Sequence, residues 1–224
     1  MIAATVATPV TAAVTLEARG VEHRFAPGRG LERVSFAWSS PALVAVTGPN
    51  GSGKSTLLRI LAGLLRPSAG EAELALGARV TLRTERRRHV GYASPDLAFY
   101  DELTVAENLA FAAEALGLSD AGSKVADALG RLGLVERAND RVAALSTGLE
   151  QRLRLAFAIL TRPPVLLLDE PGSHLDDAGR AARDAIVTEH RARGLVVLAT
   201  NDEREWRDAD ERIELRGRGV GRPA

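Results

Sequence analysis

Gly48-Pro49-Asn50-Gly51-Ser52-Gly53-Lys54-Ser55-Thr56 satisfies the pattern G-x-x-x-x-G-K-[ST] at every fixed position. Such a run can wrap a polyphosphate, because its glycines let successive backbone N–H groups turn inward at φ values a side chain forbids. A helix that starts within it aims the positive end of its dipole at the same anion. Lys54 then supplies charge to the β and γ phosphates of a nucleotide, and Ser55 a hydroxyl for Mg²⁺. A glycine-rich turn matching by chance would lack the context found here. The apolar run Leu43-Val44-Ala45-Val46 leads directly in, and a helical pattern leads out. The residues read as an ATP site with Mg²⁺ as its companion ion.

Val165-Leu166-Leu167-Leu168-Asp169-Glu170 is a second constellation, an apolar strand ending in adjacent carboxylates. Asp169 is placed to hold Mg²⁺ or its water, and Glu170 to polarise an attacking water. Two acidic residues at a strand end are common by themselves. Beside a phosphate loop they complete a hydrolytic pair.

These residues need strands and helices to position them. Alternation near Val21–Phe25 and Leu31–Trp38 predicts strands joined by the turn Ala26-Pro27-Gly28-Arg29-Gly30. Lys54–Leu65 reads as a helix stopped before Pro67. Val165–Leu168 and Leu195–Ala199 are continuous apolar runs of the kind found in a sheet covered on both faces. Asp176–Arg193 lies between them as a crossover helix, with Asp176 as N-cap and Gly194 just past its end. In the middle of the chain, Thr104-Val105-Ala106-Glu107 is a capping box, and Val105, Leu109, Ala112 and Leu116 follow at helical spacing. Val125, Leu129 and Leu132 mark another helix. The expected architecture is an α/β P-loop core, with an N-terminal antiparallel β subdomain and an inserted helical subdomain. In this division residues 1–94 and 149–224 form the core and 95–148 the insert.

Composition narrows the function classes. The 224 residues suffice for one large α/β domain or two small ones. Basic and acidic residues balance at 29 each, so no net field recruits nucleic acid or anionic lipid. Membrane association would then come through a protein partner. The absence of cysteine excludes disulfides, thiolate zinc sites and a cysteine nucleophile. The apolar N-terminus has no basic residue before Arg19 and is interrupted by Pro9, which does not fit a signal peptide. No apolar run approaches the roughly 18 residues needed to span a bilayer. The chain reads as cytosolic.

Between the two constellations lies Leu145-Ser146-Thr147-Gly148-Leu149-Glu150-Gln151-Arg152, opening a helix that ends before Pro163. This segment resembles the ABC ATPase signature, whose usual form is LSGGQ followed two residues later by Gln-Arg. The order of P-loop, signature and Asp169-Glu170-Pro171 is the order of that family, and Ser173-His174-Leu175-Asp176 is similar to its D-loop. The resemblance covers nearly the whole chain. It implies a head-to-tail dimer, with each ATP between the P-loop of one subunit and the signature helix of the other. Ser146 and the Gly148 N–H would then donate to the γ-phosphate, and Phe25 would stack on adenine. It also implies a stand-alone ATPase subunit that pairs with a second copy or a homologous subunit, and with a multi-span membrane partner. Such a subunit would sit peripherally on the cytoplasmic face. The Ser-x-Gly signature and the compact length lean towards the exporter type.

Four positions in three motifs depart from the family pattern. Thr147 and Leu149 replace a Gly and the Gln of the signature. Pro95, with no side-chain ligand and no N–H, stands where the Q-loop glutamine is expected, leaving Ser94 or Asp96 as partial substitutes. Asn201 stands in place of the switch histidine; it can donate a hydrogen bond but carries no positive charge. Among other residues, Arg86-Arg87-Arg88 reads as a solvated edge rather than a nucleic-acid patch. His23, His89 and His190 lack metal spacing and read as surface residues, and His174 as a plain loop residue. Two rival functions remain: a nucleotide-gated module with negligible hydrolysis, and a soluble ABC ATPase acting on DNA or ribosomes. Retention of Glu170 argues against the first; the absence of a second cassette or a basic insertion argues against the second.

Overall fold

The structure is a computed structural model and describes residues 13–26 and 29–217. Pro27 and Gly28 of the expected turn, and residues 1–12, lie outside the described residues. The described chain opens on an antiparallel pair, β1 (Val14–Ala26) and β2 (Arg29–Ser39), both longer than the alternation predicts. Val14, Leu16 and Ala18 alternate inward with a strand's period of two, and Val21 regains the inward face after a register shift around Gly20 (φ 60°).

β3 (Ala42–Thr47) runs into the glycine loop and then α1 (Lys54–Leu61). This helix stops short of the expected Leu65. Gly63 takes a left-handed φ of 79°, and the Leu64 and Leu65 N–H groups turn back to the Arg59 carbonyl at 2.9 and 3.1 Å. β4 (Ala69–Leu76) and β5 (Arg79–Val80) complete a sheet of order β2-β1-β4-β5. Then come β6 (Val90–Ala93), α2 (Val105–Ala115), α3 (Ala121–Arg131) and α4 (Thr147–Ile159). The capping box of α2 forms as the sequence implies: Glu107 N donates to Thr104 Oγ1 at 3.1 Å, and Thr104 N to Glu107 Oε2 at 2.8 Å. β7 (Val165–Asp169), α5 (Asp177–Arg191), β8 (Leu195–Ala199), the short α6 (Glu203–Trp206) and β9 (Glu211–Glu214) follow. Asp176 caps α5 through the Gly179 N–H at 2.9 Å.

The second sheet is parallel throughout, in the order β6-β7-β8-β3-β9. β3, β7 and β8 are buried along their whole length. Leu43, Leu166, Leu168, Val196 and Leu198 face a core shared with α2, α3, α4 and α5. Val44, Val46, Val165, Leu167, Leu195 and Val197 face a core shared with α1 and the antiparallel sheet. Two cores on one sheet explain why these strands read as unbroken apolar runs.

Two residues stand elsewhere than their sequence context implies. His190 is fully buried rather than at the surface, and burial, with Arg193 and Arg131 nearby, holds its imidazole down at about 4. Arg86 is buried as well, while Arg87 and Arg88 are exposed. Its guanidinium donates to the Ile60 and Leu61 carbonyls at 3.3 and 3.5 Å and to the Ala72 carbonyl. A cation thus closes the carbonyl end of α1, where the helix dipole favours it. Arg86→Leu keeps the apolar stem but strands those acceptors. It is expected to lower the unfolding free energy by about 1–3 kcal/mol, against less than about 0.5 kcal/mol for the exposed Arg87→Leu; urea denaturation of the two variants measures the difference.

Candidate functional site

Parallel strands bring their carboxyl ends to one edge of the sheet, and ligand-binding crevices of such sheets form there. After β3 the chain passes Gly48 (φ 141°), Gly51 (φ 82°) and Gly53 (φ 100°) before α1 begins. A Cβ at Gly48 would collide with the Leu215 carbonyl, and one at Gly53 would stand 3.0 Å from Leu31 Cα. The loop is tightened by Ser52 N donating to the Pro49 carbonyl at 3.0 Å. Ser52 and Thr56 are buried, and Ser52 Oγ has no hydrogen-bond partner. α1 has no side-chain N-cap and no acidic residue in its first turn, so no side chain competes with an anion for its leading N–H groups.

Lys54 is 7% exposed. Its ammonium donates to the Gly48 carbonyl at 2.7 Å and to Asn201 Oδ1 at 3.3 Å, and lies 3.8 Å from Glu170 Oε1. Asn201, just past β8, also donates through Nδ2 to Asn50 Oδ1 at 3.1 Å. The residue at the switch position is therefore tied to the P-loop from two sides. Nothing in the spacing of the sequence announces Asn50 as its partner.

Asp169 ends β7 and is 1% exposed, with neither carboxylate oxygen hydrogen-bonded. Burial pushes its carboxyl above the usual range, opposed by the Ser55 hydroxyl and the Lys54 ammonium. A buried, unpartnered carboxylate beside a serine hydroxyl is an oxygen donor set suited to a hard cation such as Mg²⁺. Among the described residues no cluster of three or more His, Cys, Asp or Glu could hold a metal alone. A cation here would share its coordination with phosphate oxygens, as Mg²⁺ commonly does.

Glu170 is half-buried and adopts a left-handed φ of 47°. Burial raises its carboxyl too; Lys54 opposes the shift, while the charges of Asp169 and Glu205 add to it. Gln151 of α4 donates to the Glu170 carbonyl at 3.4 Å and the Pro171 carbonyl at 3.3 Å. Its burial and this role go beyond its place in the signature pattern.

Phe25 is 57% exposed, with the His23 ring edge-on at 4.4 Å. Its neighbour Arg24 pairs with Gly30, and Gly30 and Leu31 pack on Gly53, so the aromatic stands on the strand bordering the P-loop. Ser146 is the N-cap of α4, accepting from the Leu149 N–H at 3.3 Å. A Cβ at Gly148 would stand 2.7 Å from the His174 carbonyl, which leaves no room for a side chain. Among the described residues no hydrogen bond joins Ser146 or Gly148 to residues 48–56. Ser94 is buried and accepts from the Asp96 N–H at 3.3 Å, while Asp96 pairs with Arg59. Both help to line a cavity of about 400 Å³, walled by Leu64, Tyr92, Leu97 and Phe157 and set apart from the P-loop.

Residues 31–173 match the family model described as "ABC transporter". This chain belongs to the ABC transporter family. It is 43% identical over 166 residues to a cytochrome c biogenesis ATP-binding export protein of Nitrobacter winogradskyi, covering 74% of this chain and 80% of that one. It is 37% identical over 222 residues to a sulfate/thiosulfate import ATP-binding protein of Bordetella pertussis, covering 94% of this chain and 62% of that one. Names of both directions of transport thus occur among its relatives. A solved ATP-binding subunit of an ABC transporter superposes with a TM-score of 0.79 at 29% identity, covering 90% of this chain and 87% of that one. A dimeric, post-hydrolysis ATP-binding cassette bound to ADP and Pi gives 0.78 at 25% identity, covering 92% and 97%. The ABC cassette is thus an ABC-type ATPase, the ATP-binding part of an ABC transporter. No helix among the described residues is long and apolar enough to cross a membrane.

A carboxyl raised on folding costs stability above its folded pKa, and that cost disappears as pH falls through it. Asp169→Asn is therefore expected to raise the Tm of the nucleotide-free protein near neutral pH. The gain should shrink as pH falls towards the ordinary carboxylate range. Adding Mg²⁺ and ATP should raise the Tm of the parent more than that of the variant; calorimetry across pH, with and without both ligands, checks each part.

Proposed function

We propose that this chain binds Mg·ATP and hydrolyses it as one half of a head-to-tail cassette dimer, powering transport by a membrane-spanning partner. The observation that carries this reading is an incomplete site. Lys54, Asp169, Glu170 and Asn201 gather at the P-loop, whereas Ser146 and Gly148 lie at the start of α4 with no hydrogen bond to it. A second copy, or a homologous subunit, would bring its own Ser146 and Gly148 to the nucleotide.

In that dimer the N–H groups of Gly48–Thr56 cradle the phosphates and Lys54 meets the β and γ oxygens. Phe25 offers its exposed ring to adenine. Ser55 and Asp169 would hold Mg²⁺, which when bound neutralises charge on the β and γ phosphates. Glu170 accepts a proton from water as the water oxygen bonds to the γ-phosphorus and the bond to the β–γ bridging oxygen breaks, leaving ADP and phosphate. Its raised pKa brings it closer to the range where a general base works well near neutral pH. Asn201 can turn its amide to a γ-oxygen, but it lacks the charge of a histidinium, and Pro95 offers no ligand. Turnover is accordingly slow.

ATP binding closes the dimer and hydrolysis reopens it. Residues 95–148 would move as a helical body against the core of 1–94 and 149–224. The cavity beside Tyr92, Ser94 and Phe157 would seat an element of the membrane partner, holding the chain peripherally on the cytoplasmic face. Nucleic acid has no part in this reading.

Steady-state phosphate release and binding of a fluorescent ATP analogue test the proposal. Lys54→Ala is expected to lose nucleotide affinity. Glu170→Gln is expected to keep ATP, lose turnover and accumulate as a closed dimer by size exclusion with light scattering. Asn201→Ala should lower turnover by up to about 10²-fold, the scale of one lost transition-state donor. A parent chain no faster than Lys54→Ala, even beside its membrane partner, would instead favour a nucleotide-gated module without hydrolysis.

A further inference from the structure

The turn that carries Glu170 is held from three directions. Its own N–H donates to the Ala199 carbonyl of β8 at 2.8 Å. Gln151 of α4 grips the Glu170 and Pro171 carbonyls. On the third side stands an ion pair outside the P-loop set: Arg183 of α5 bonds through Nη1 to Glu205 Oε1 of α6. Their side chains are 7% and 5% exposed. Gly172 rests directly on the pair, and a Cβ there would overlap both Glu205 Oε1 and Arg183 Nη1.

The location of this pair matters because Glu170 is strained. A left-handed φ in a non-glycine residue persists only where the surroundings over-determine it. The pair also reaches the switch position. Asp202, next to Asn201, caps α6, and the Glu205 N–H donates to the Asp202 carbonyl at 3.0 Å. The guanidinium is further fixed by Arg183 Nε donating to Asp184 Oδ1 at 2.9 Å. If α5 and α6 needed only to pack, apolar residues of the same volume would serve as well or better, since two buried charges carry a large desolvation cost. A directional pair set against a glycine is suited to fixing a backbone in place.

We propose that Arg183 and Glu205 are positioning residues that hold the Glu170–Gly172 turn, and with it the Glu170 carboxylate, in register with the γ-phosphate and the Asn201 segment. The inference rests on the reading of Glu170 as the group that takes the proton from water. A displacement of about 1 Å at a reacting group can cost on the order of 10²-fold in rate.

The test uses Arg183→Met, Glu205→Met, their double variant, Glu205→Gln and Glu170→Gln in the full chain. Phosphate release is followed against ATP concentration, with affinity for a fluorescent ATP analogue and Tm measured in parallel. Each single Met variant is expected to lose roughly 10- to 100-fold in kcat, with KM and analogue affinity unchanged. The double variant should fold with a Tm no lower than the single variants, because no lone charge is left buried, yet remain as slow as they are. Glu205→Gln keeps an oxygen for Arg183 and should return most of kcat. A double variant at parental kcat, beside a Glu170→Gln that is inactive, overturns the positioning role. So does a parallel fall of kcat and affinity, which marks general damage to the pocket. If Glu170→Gln keeps its turnover, the base reading fails and takes this proposal with it, a pattern distinct from the other two.

Discussion

A lysine ammonium removed from water must be met by oxygens, since its desolvation costs several kcal/mol even after the protein relaxes. Lys54 imposes that constraint at the start of α1, and three separate segments answer it. The Gly48 carbonyl comes from the loop after β3, Glu170 from the end of β7 and Asn201 from the end of β8. Those three strands are contiguous in the parallel sheet, in the order β7-β8-β3. That order delivers the three oxygens to one point at the edge of the sheet. Register matters as much: Asp169 pairs with Ala199, so Glu170 and the Thr200-Asn201 step leave the sheet at the same level.

The sheet keeps that register because it is locked between two cores. Alternate residues of β7 and β8 point into the helical core and into the core beneath α1, so a slip of one residue would exchange every side chain between differently shaped environments. The antiparallel sheet adds a further constraint. It brings Gly30 and Leu31 onto Gly53, which braces the P-loop from the side it shares with α1 and leaves Phe25 beside it. Burial therefore sets the geometry of the charged groups, and the charged groups add little to the burial.

How far the sequence reveals this depends on how local each signal is. The P-loop, the Asp169-Glu170 strand end, the α2 capping box and the Asp176 cap are short-range patterns whose physics lies within a few residues, and the strand ends, helix start and caps they imply are all present. β9 is spelled Glu-Arg-Ile-Glu and is a strand only because β3 offers it an edge, so no periodicity betrays it. The burial of Arg86 and His190 is hidden for a related reason. A run of three arginines and a histidine at the end of a polar helix look solvated until tertiary structure buries one of the arginines and the histidine. In the candidate site, residue types were legible but pairings were not. Nothing local says that Asn201 meets Asn50, or that Gly172 is a glycine because Arg183 and Glu205 fill the space a Cβ would need.

The same cage around Lys54 suggests how binding and chemistry can be ordered. The ammonium lies 3.8 Å from Glu170 Oε1, which partly offsets the effect of burial on that carboxyl. On the reading proposed above, an arriving γ-phosphate draws the ammonium to its own oxygens. Glu170 then loses a counter-ion and gains an anionic neighbour, and both changes would raise its proton affinity, against the opposing charge of the Mg²⁺ that Ser55 and Asp169 would hold. A base that strengthens only once the phosphate is seated does not have to be strongly basic beforehand. In the proposed mechanism the carboxylate that faces Lys54 would become the proton acceptor once the γ-phosphate is seated, through the movement of a single cation.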